Sequence, residues 1–128
     1  MIREFFQKAK ENLKAAQVLF DQKLYNASVT RSYYSAFQIA IAALAKYGIT
    51  SDKIEHSRVQ ANFNGELIHK RKIFSGHFKS YLPDLQAVRN RADYKTELLS
   101  QKTALRQLTK TKEFVTSVEK EFASYDKP

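Results

Sequence analysis

The stretch Asn26-Ala27-Ser28-Val29-Thr30-Arg31-Ser32-Tyr33-Tyr34-Ser35-Ala36-Phe37-Gln38-Ile39-Ala40-Ile41-Ala42-Ala43-Leu44-Ala45-Lys46-Tyr47 contains two cations, Arg31 and Lys46, and no acid. Val29, Tyr33, Ala36, Phe37, Ala40, Leu44 and Tyr47 recur at three- and four-residue steps, the period of a helix with one apolar stripe. Tyr34, Ile39, Ile41 and Ala43 carry apolar character around the rest of the cylinder. A helix apolar on most sides is buried on most sides. The spacing therefore predicts a central helix of a bundle, or one that also packs against a second subunit. Asn26 is placed to cap its start and Gly48 to stop it. With Arg31 and its run of Ser and Tyr hydroxyls, the segment is too polar to cross a bilayer.

Helical period continues on both sides. Upstream, Ile2, Phe5, Phe6, Ala9, Leu13, Ala16 and Phe20 form one stripe, opposed by Lys8, Lys10, Glu11, Lys14 and Gln17. This predicts a surface helix of roughly 20 residues, with a break at Gln22-Lys23-Leu24-Tyr25. Downstream, Thr50-Ser51-Asp52 followed by Glu55 reads as a capping signal for a short helix with Ile54, Val59 and Phe63. Residues 62–75 hold Gly65, with Gly76 directly after them, and the run His69-Lys70-Arg71-Lys72, which predicts an irregular basic loop or a broken helix. Phe78, Leu82, Leu85, Val88 and Ala92 resume helical spacing, and Pro83 belongs at a helix start or a kink. A last helix is predicted from about Thr96 to Ala123, its core face made by Leu98, Leu105, Leu108, Val115, Val118 and Phe122. The fold class is all-α, an antiparallel bundle of four or five helices.

The totals agree with that class. A chain of 128 residues is sized for one domain spanning 1–128. Three Gly and two Pro are too few for a turn-rich β-sandwich. The absence of Cys removes disulfides, thiolate metal sites and cysteine nucleophiles. No apolar run of signal-peptide length opens the chain, so a soluble cytoplasmic protein without a membrane partner is expected. A formal charge of +9 favours an anionic partner, nucleic acid before membrane.

No cofactor or metal is expected. His56, His69 and His77 lack helical metal-ligand partners apart from the single pair Glu66-x-x-His69, and no glycine-rich phosphate loop is present. Basic charge offers more. Lys102, Arg106 and Lys110 lie on one face of the last helix, either as a track for a phosphate backbone or as a solvated face. The densest local pattern is Val88-Arg89-Asn90-Arg91-Ala92-Asp93-Tyr94. Arg89 and Asp93 stand four apart, so they either form a lateral ion pair or present Arg89 to a phosphate with Asn90 and Asp93 orienting it. Arg31, a charge on an apolar helix, either pairs with Asp93 or joins Arg89 in a cleft. Tyr33 and Tyr34 suit core packing, or stacking on a base.

Two stretches together, residues 27–37 with their Arg31-Ser32-Tyr33-Tyr34-Ser35-Ala36-Phe37, and Arg89-Asn90-Arg91-Ala92-Asp93-Tyr94, resemble the small stand-alone branch of the HEPN domain family. His56-Ser57-Arg58-Val59 followed by Phe63 resembles a further segment of that branch. The resemblance implies a homodimeric helical bundle with a basic cleft near its two-fold axis. It also implies metal-independent endoribonuclease chemistry in a toxin–antitoxin or defence setting, in some members beside a small nucleotidyltransferase partner. Arg89 matches the family's motif arginine and Asn90 its polar second position. The motif histidine has no match, because its positions hold Asp93, Tyr94 or Lys95 and no His follows Arg89. A catalytic version must therefore draw on Asp93, Tyr94 or His56, although His56 also suits a structural, partly buried position. An RNA or nucleotide site would include Arg31, Tyr34, Asn90, Arg91, Lys102 and Arg106. The alternative is a non-catalytic dimerisation or adaptor module that binds a partner protein, with Arg89–Asp93 as an internal ion pair.

Overall fold

A computed structural model describes residues 1–50 and 53–125. It contains helices α1 (Ile2–Asp21), α2 (Tyr25–Lys46), α3 (His56–Asn62), α4 (Tyr81–Tyr94) and α5 (Gln101–Tyr125), with no strand among the described residues. Neighbouring long helices alternate in direction. Lys10 meets Glu119 at 2.6 Å and Lys112 meets Gln17, so α1 and α5 run oppositely. Asn26 reaches the end of α4, while Gln86 near its middle meets Gln60 of α3.

The predicted central helix is central. From Ser28 to Leu44, α2 buries Val29, Tyr33, Phe37, Ile39, Ile41 and Leu44 together with the small residues between them. Its contact with α1 is close because both helices put small residues there. Ala9 and Ala16 are fully buried, and the hydroxyls of Ser35 and Ser28 donate to their carbonyls at 2.7 and 2.8 Å. Phe63, Phe74, Phe78 and Phe114 fill the end of the core beneath the second half of the chain, with ring centroids 5.1–5.6 Å apart.

Gly48 stops α2 as expected, at a left-handed φ of 76° that glycine adopts without strain. The N-cap expectation fails. Leu24 precedes the first helical residue, and the Asn26 side chain is used elsewhere: Nδ2 donates to Ala92 O at 3.2 Å and Glu97 O at 3.0 Å, and Oδ1 accepts from Leu99 N at 2.8 Å. Satisfying three backbone groups at the end of α4 and in the α4–α5 link outweighs one local cap.

Two further boundaries shift. The capping signal at Ser51 and Asp52 lies outside the described residues, and α3 starts later, at His56, with Glu55 as its uncapped N-cap. Residues 62–75 are a broken helix: α3 runs on into π-helical turns over Phe63–Lys70, which end with Lys72 at a left-handed φ of 52°. Pro83 lies in the first turn of α4, where a missing N–H costs nothing.

The last helix begins at Gln101 rather than Thr96, with the Ser100 hydroxyl accepting from Thr103 N at 3.1 Å. Residues 96–100 are non-helical because Asn26 holds Leu99 inside, and adjacent residues in such a segment face opposite ways. Leu99 is 5% exposed and Leu98 is 89% exposed. Leu98 is thus no core residue, and neither is the exposed Leu105; Leu99 takes the interior place with Val29, Val88 and Ala104.

Candidate functional site

The antiparallel packing of α2 and α4 sets Thr30, Tyr33 and Tyr34 against Arg89 and Asp93, and the start of α3 lays His56 over the same spot. Arg89 is only 7% exposed, which is rare for an arginine side chain. Its Nη1 stands 3.6 Å from Asp93 Oδ2 and 3.5 Å from the Tyr34 hydroxyl, both long contacts. Its Nε is buried and has no hydrogen-bond partner among the described residues. The guanidinium lies 5.0, 5.5 and 5.7 Å from the ring centroids of Tyr33, Tyr34 and Tyr94. Aromatic faces compensate a cation in part, but they do not satisfy its N–H donors. Asp93 is held from its other side by the Thr30 hydroxyl, which donates to Oδ1 at 2.6 Å.

His56 packs into the same cluster. Its ring stacks on Phe37 at 4.3 Å and on Tyr33 at 5.5 Å, and Nδ1 is hydrogen-bonded to the Tyr33 hydroxyl. Burial, aided by the Arg89 charge, lowers its pKa below the ordinary 6.5, so the imidazole is neutral at pH 7. Burial also pushes the Tyr33 hydroxyl up to about 12, with Gln60 and Arg89 pulling the other way. The cluster thus joins a buried, under-bonded guanidinium to a neutral imidazole, types suited to holding a phosphate and moving a proton.

The other expected residues are dispersed. Tyr94 is 72% exposed and meets Arg89 through its ring. Asn90 is exposed one residue beyond Arg89. Arg31 turns away from both Asp93 and Arg89 and donates to Asn12 Oδ1 at 3.3 Å, because Thr30 occupies the place facing Asp93. Arg91 is taken by Glu97, at 2.5 and 3.1 Å. Lys102 and Arg106 are exposed on α5 and make no hydrogen bond or ion pair with the Arg89 cluster, while Lys110 on the same face is tied to Asp84 at 2.6 Å. The three-cation stripe is therefore only partly free. Thr30 and Phe37 are the members of the cluster that sequence reasoning passed over. Their spacing from Tyr33 and Tyr34, three or four residues on one helix, is the signal that points to them.

No group of three or more His, Asp or Glu side chains could hold a metal ion among the described residues. No helix there is long and apolar enough to cross a membrane.

The fold is an antiparallel bundle of α-helices with an arginine of its fourth helix set against tyrosines of its second. The chain belongs to the HEPN domain family, whose model matches residues 2–121. It is similar to a protein of Methanocaldococcus jannaschii named as a candidate toxin, 29% identical over 119 residues, which are 93% of this chain and 87% of that one. It is also similar to a UPF0332 protein of Gloeobacter violaceus, 37% identical over 49 residues, 38% of this chain and 39% of the relative.

Proposed function

We propose that this chain is an RNA-binding HEPN protein of a toxin–antitoxin or defence system, a homodimer that cleaves RNA without metal at the Arg89 cluster. The observation that carries the reading is the Arg89 guanidinium, buried with an unpartnered Nε beside a neutral histidine. Burying a charge so poorly hydrogen-bonded costs stability, and a phosphate oxygen would supply the missing acceptors.

In the reaction the ribose 2′-oxygen bonds to phosphorus as the phosphorus–5′-oxygen bond breaks, giving a 2′,3′-cyclic phosphate and a 5′-hydroxyl. His56 takes the 2′-proton: with Nδ1–H donated to the Tyr33 oxygen, Nε2 has a free lone pair. Arg89 stabilises the charge on the pentavalent phosphorus. Tyr94, exposed and in ring contact with Arg89, returns a proton to the 5′-oxygen. His56 thus replaces the absent motif histidine from another helix. A relative named as a toxin supports the setting.

The test is incubation of purified protein with mixed RNA in excess chelator. Wild type is expected to cleave, and Arg89→Ala to lose roughly 100-fold or more, the cost of removing a transition-state donor. Equal trace cleavage by both proteins overturns the catalytic reading.

One observation favours a second reading. Arg89 is almost sealed, with Asp93 as its counter-ion, while Tyr94, Leu98 and Leu105 leave apolar surface exposed around the α4–α5 link. A non-catalytic module that binds a partner protein, such as a small nucleotidyltransferase, would use that surface. It predicts RNA binding that is indifferent to Arg89.

A further inference from the structure

Away from Arg89, basic side chains concentrate where the π-helical turns end. His69, Lys70, Arg71 and Lys72 follow one another, and Lys79 joins them from the turn ahead of α4. Among the described residues Glu66 is the acid that meets them, 3.4 Å from Lys70 and 4.0 Å from Arg71. Lys72 and Lys79 are exposed and form no ion pair among the described residues. With Asn64, His69 and Ser75 they line a shallow surface depression.

A line of side-chain contacts, a seam between the α3 run and the α4 side, leads from this depression toward the Arg89 cluster. His56 and Lys70 are the two ends of one helical run, α3 followed by the π-helical turns, 7 and 8 residues in length. At the rise of a helix the run is roughly 20 Å long. It lies antiparallel to α4: His56 sits by Arg89, Gln60 donates to Gln86 Oε1 at 2.6 Å, and Asn64 donates to Lys79 O at 2.9 Å. Amide side chains thus stand between the depression and Arg89. Lys72 also adopts a backbone conformation that glycine fills at less cost, and π-helical turns recur at functional sites. Lys23 shares the left-handed φ without such company, so the inference rests on the charge cluster and the seam.

We infer that the Lys72–Lys79 depression is a second subsite for backbone phosphates of a single RNA strand, which runs along the α3–α4 seam so that another of its phosphates lies at Arg89. This rests on the RNA-binding reading of Arg89 and extends it from one phosphate to a strand of several nucleotides. The subsite reads no base, because lysines at a shallow surface contact phosphates.

The test compares wild type, the double variant Lys72→Gly/Lys79→Gln and Arg89→Ala, binding a ten-nucleotide and a two-nucleotide single-stranded RNA from 50 to 200 mM salt. Glycine suits the φ of residue 72, and Lys79 holds the fold through its backbone, so the double variant keeps its thermal stability. The double variant is expected to bind the ten-mer roughly tenfold more weakly at 50 mM salt, with a log–log salt slope shallower by about 1.4, or 0.7 for each lost phosphate contact. Its affinity for the two-nucleotide RNA stays at the wild-type value. Unchanged ten-mer affinity and slope overturn the subsite, even where Arg89→Ala weakens binding and upholds the Arg89 reading. An equal loss for both RNAs overturns it too, because general attraction would explain that result. Weakening in the double variant with none in Arg89→Ala upholds the subsite and removes the Arg89 reading instead.

Discussion

Removing Asp93 should expose how Arg89 is tolerated inside the bundle. The Arg89 side chain is 8% exposed and Asp93, 29% exposed, is its counter-ion at 3.6 Å. Breaking a fully buried pair costs roughly 3–5 kcal/mol, because the surviving charge stays buried alone. Here the long contact and the water around Asp93 reduce that figure, so Asp93→Ala is expected to cost about 1.5 kcal/mol. In an Arg89→Met background the same substitution removes only the hydrogen bond from Thr30, worth about 0.5 kcal/mol. Arg89→Met alone should change stability by less than about 1 kcal/mol, since lost ring contacts are offset by relief of the unpartnered Nε. The coupling is then about 1 kcal/mol. For this chain length, with an unfolding entropy of about 2.1 cal/mol/K per residue, it corresponds to about 4 °C in Tm. Urea and thermal denaturation of the four proteins measure it. Additivity within about 0.3 kcal/mol would show that Asp93 does not serve Arg89, and the account of a compensated buried cation would fall.

Asn26→Ala should cost about 2–3 kcal/mol by urea denaturation, because it strips three backbone groups at the end of α4 and in the α4–α5 link, among them the Leu99 N–H, of their partner; a loss below about 0.5 kcal/mol would mean the link is held otherwise. Stability should also fall as pH drops below about 6.5. The folded state holds the His56 pKa below its ordinary value, so the unfolded chain takes up that proton first. His56→Phe should flatten Tm between pH 7.5 and 5.0, and a slope identical to wild type would contradict the burial of this imidazole.

The helices were legible in the sequence because burial leaves its period there. The near-continuous apolar character of residues 29–44 announced a helix covered on most sides, and Gly48 announced its end. The pattern around Arg89, with no histidine after it, also set out both the family resemblance and its departure. Long-range polar bonds left no such period. Nothing in the local sequence distinguishes Asn26 as a cap from Asn26 as a bolt holding Leu99 inside, and that choice displaced Leu98 and the start of α5. The same holds at the site. Sequence placed Arg31 and Asp93 as possible partners, but helix geometry gave the facing position to Thr30 and sent Arg31 to Asn12. His56 lies 33 residues before Arg89, and only the folding of α3 onto α2 and α4 brings its imidazole to the guanidinium. Periodicity records which face of each helix meets the core. The rotation and height at which two helices meet are fixed by packing among all of them, and that packing alone decided which polar side chains share the space around Arg89.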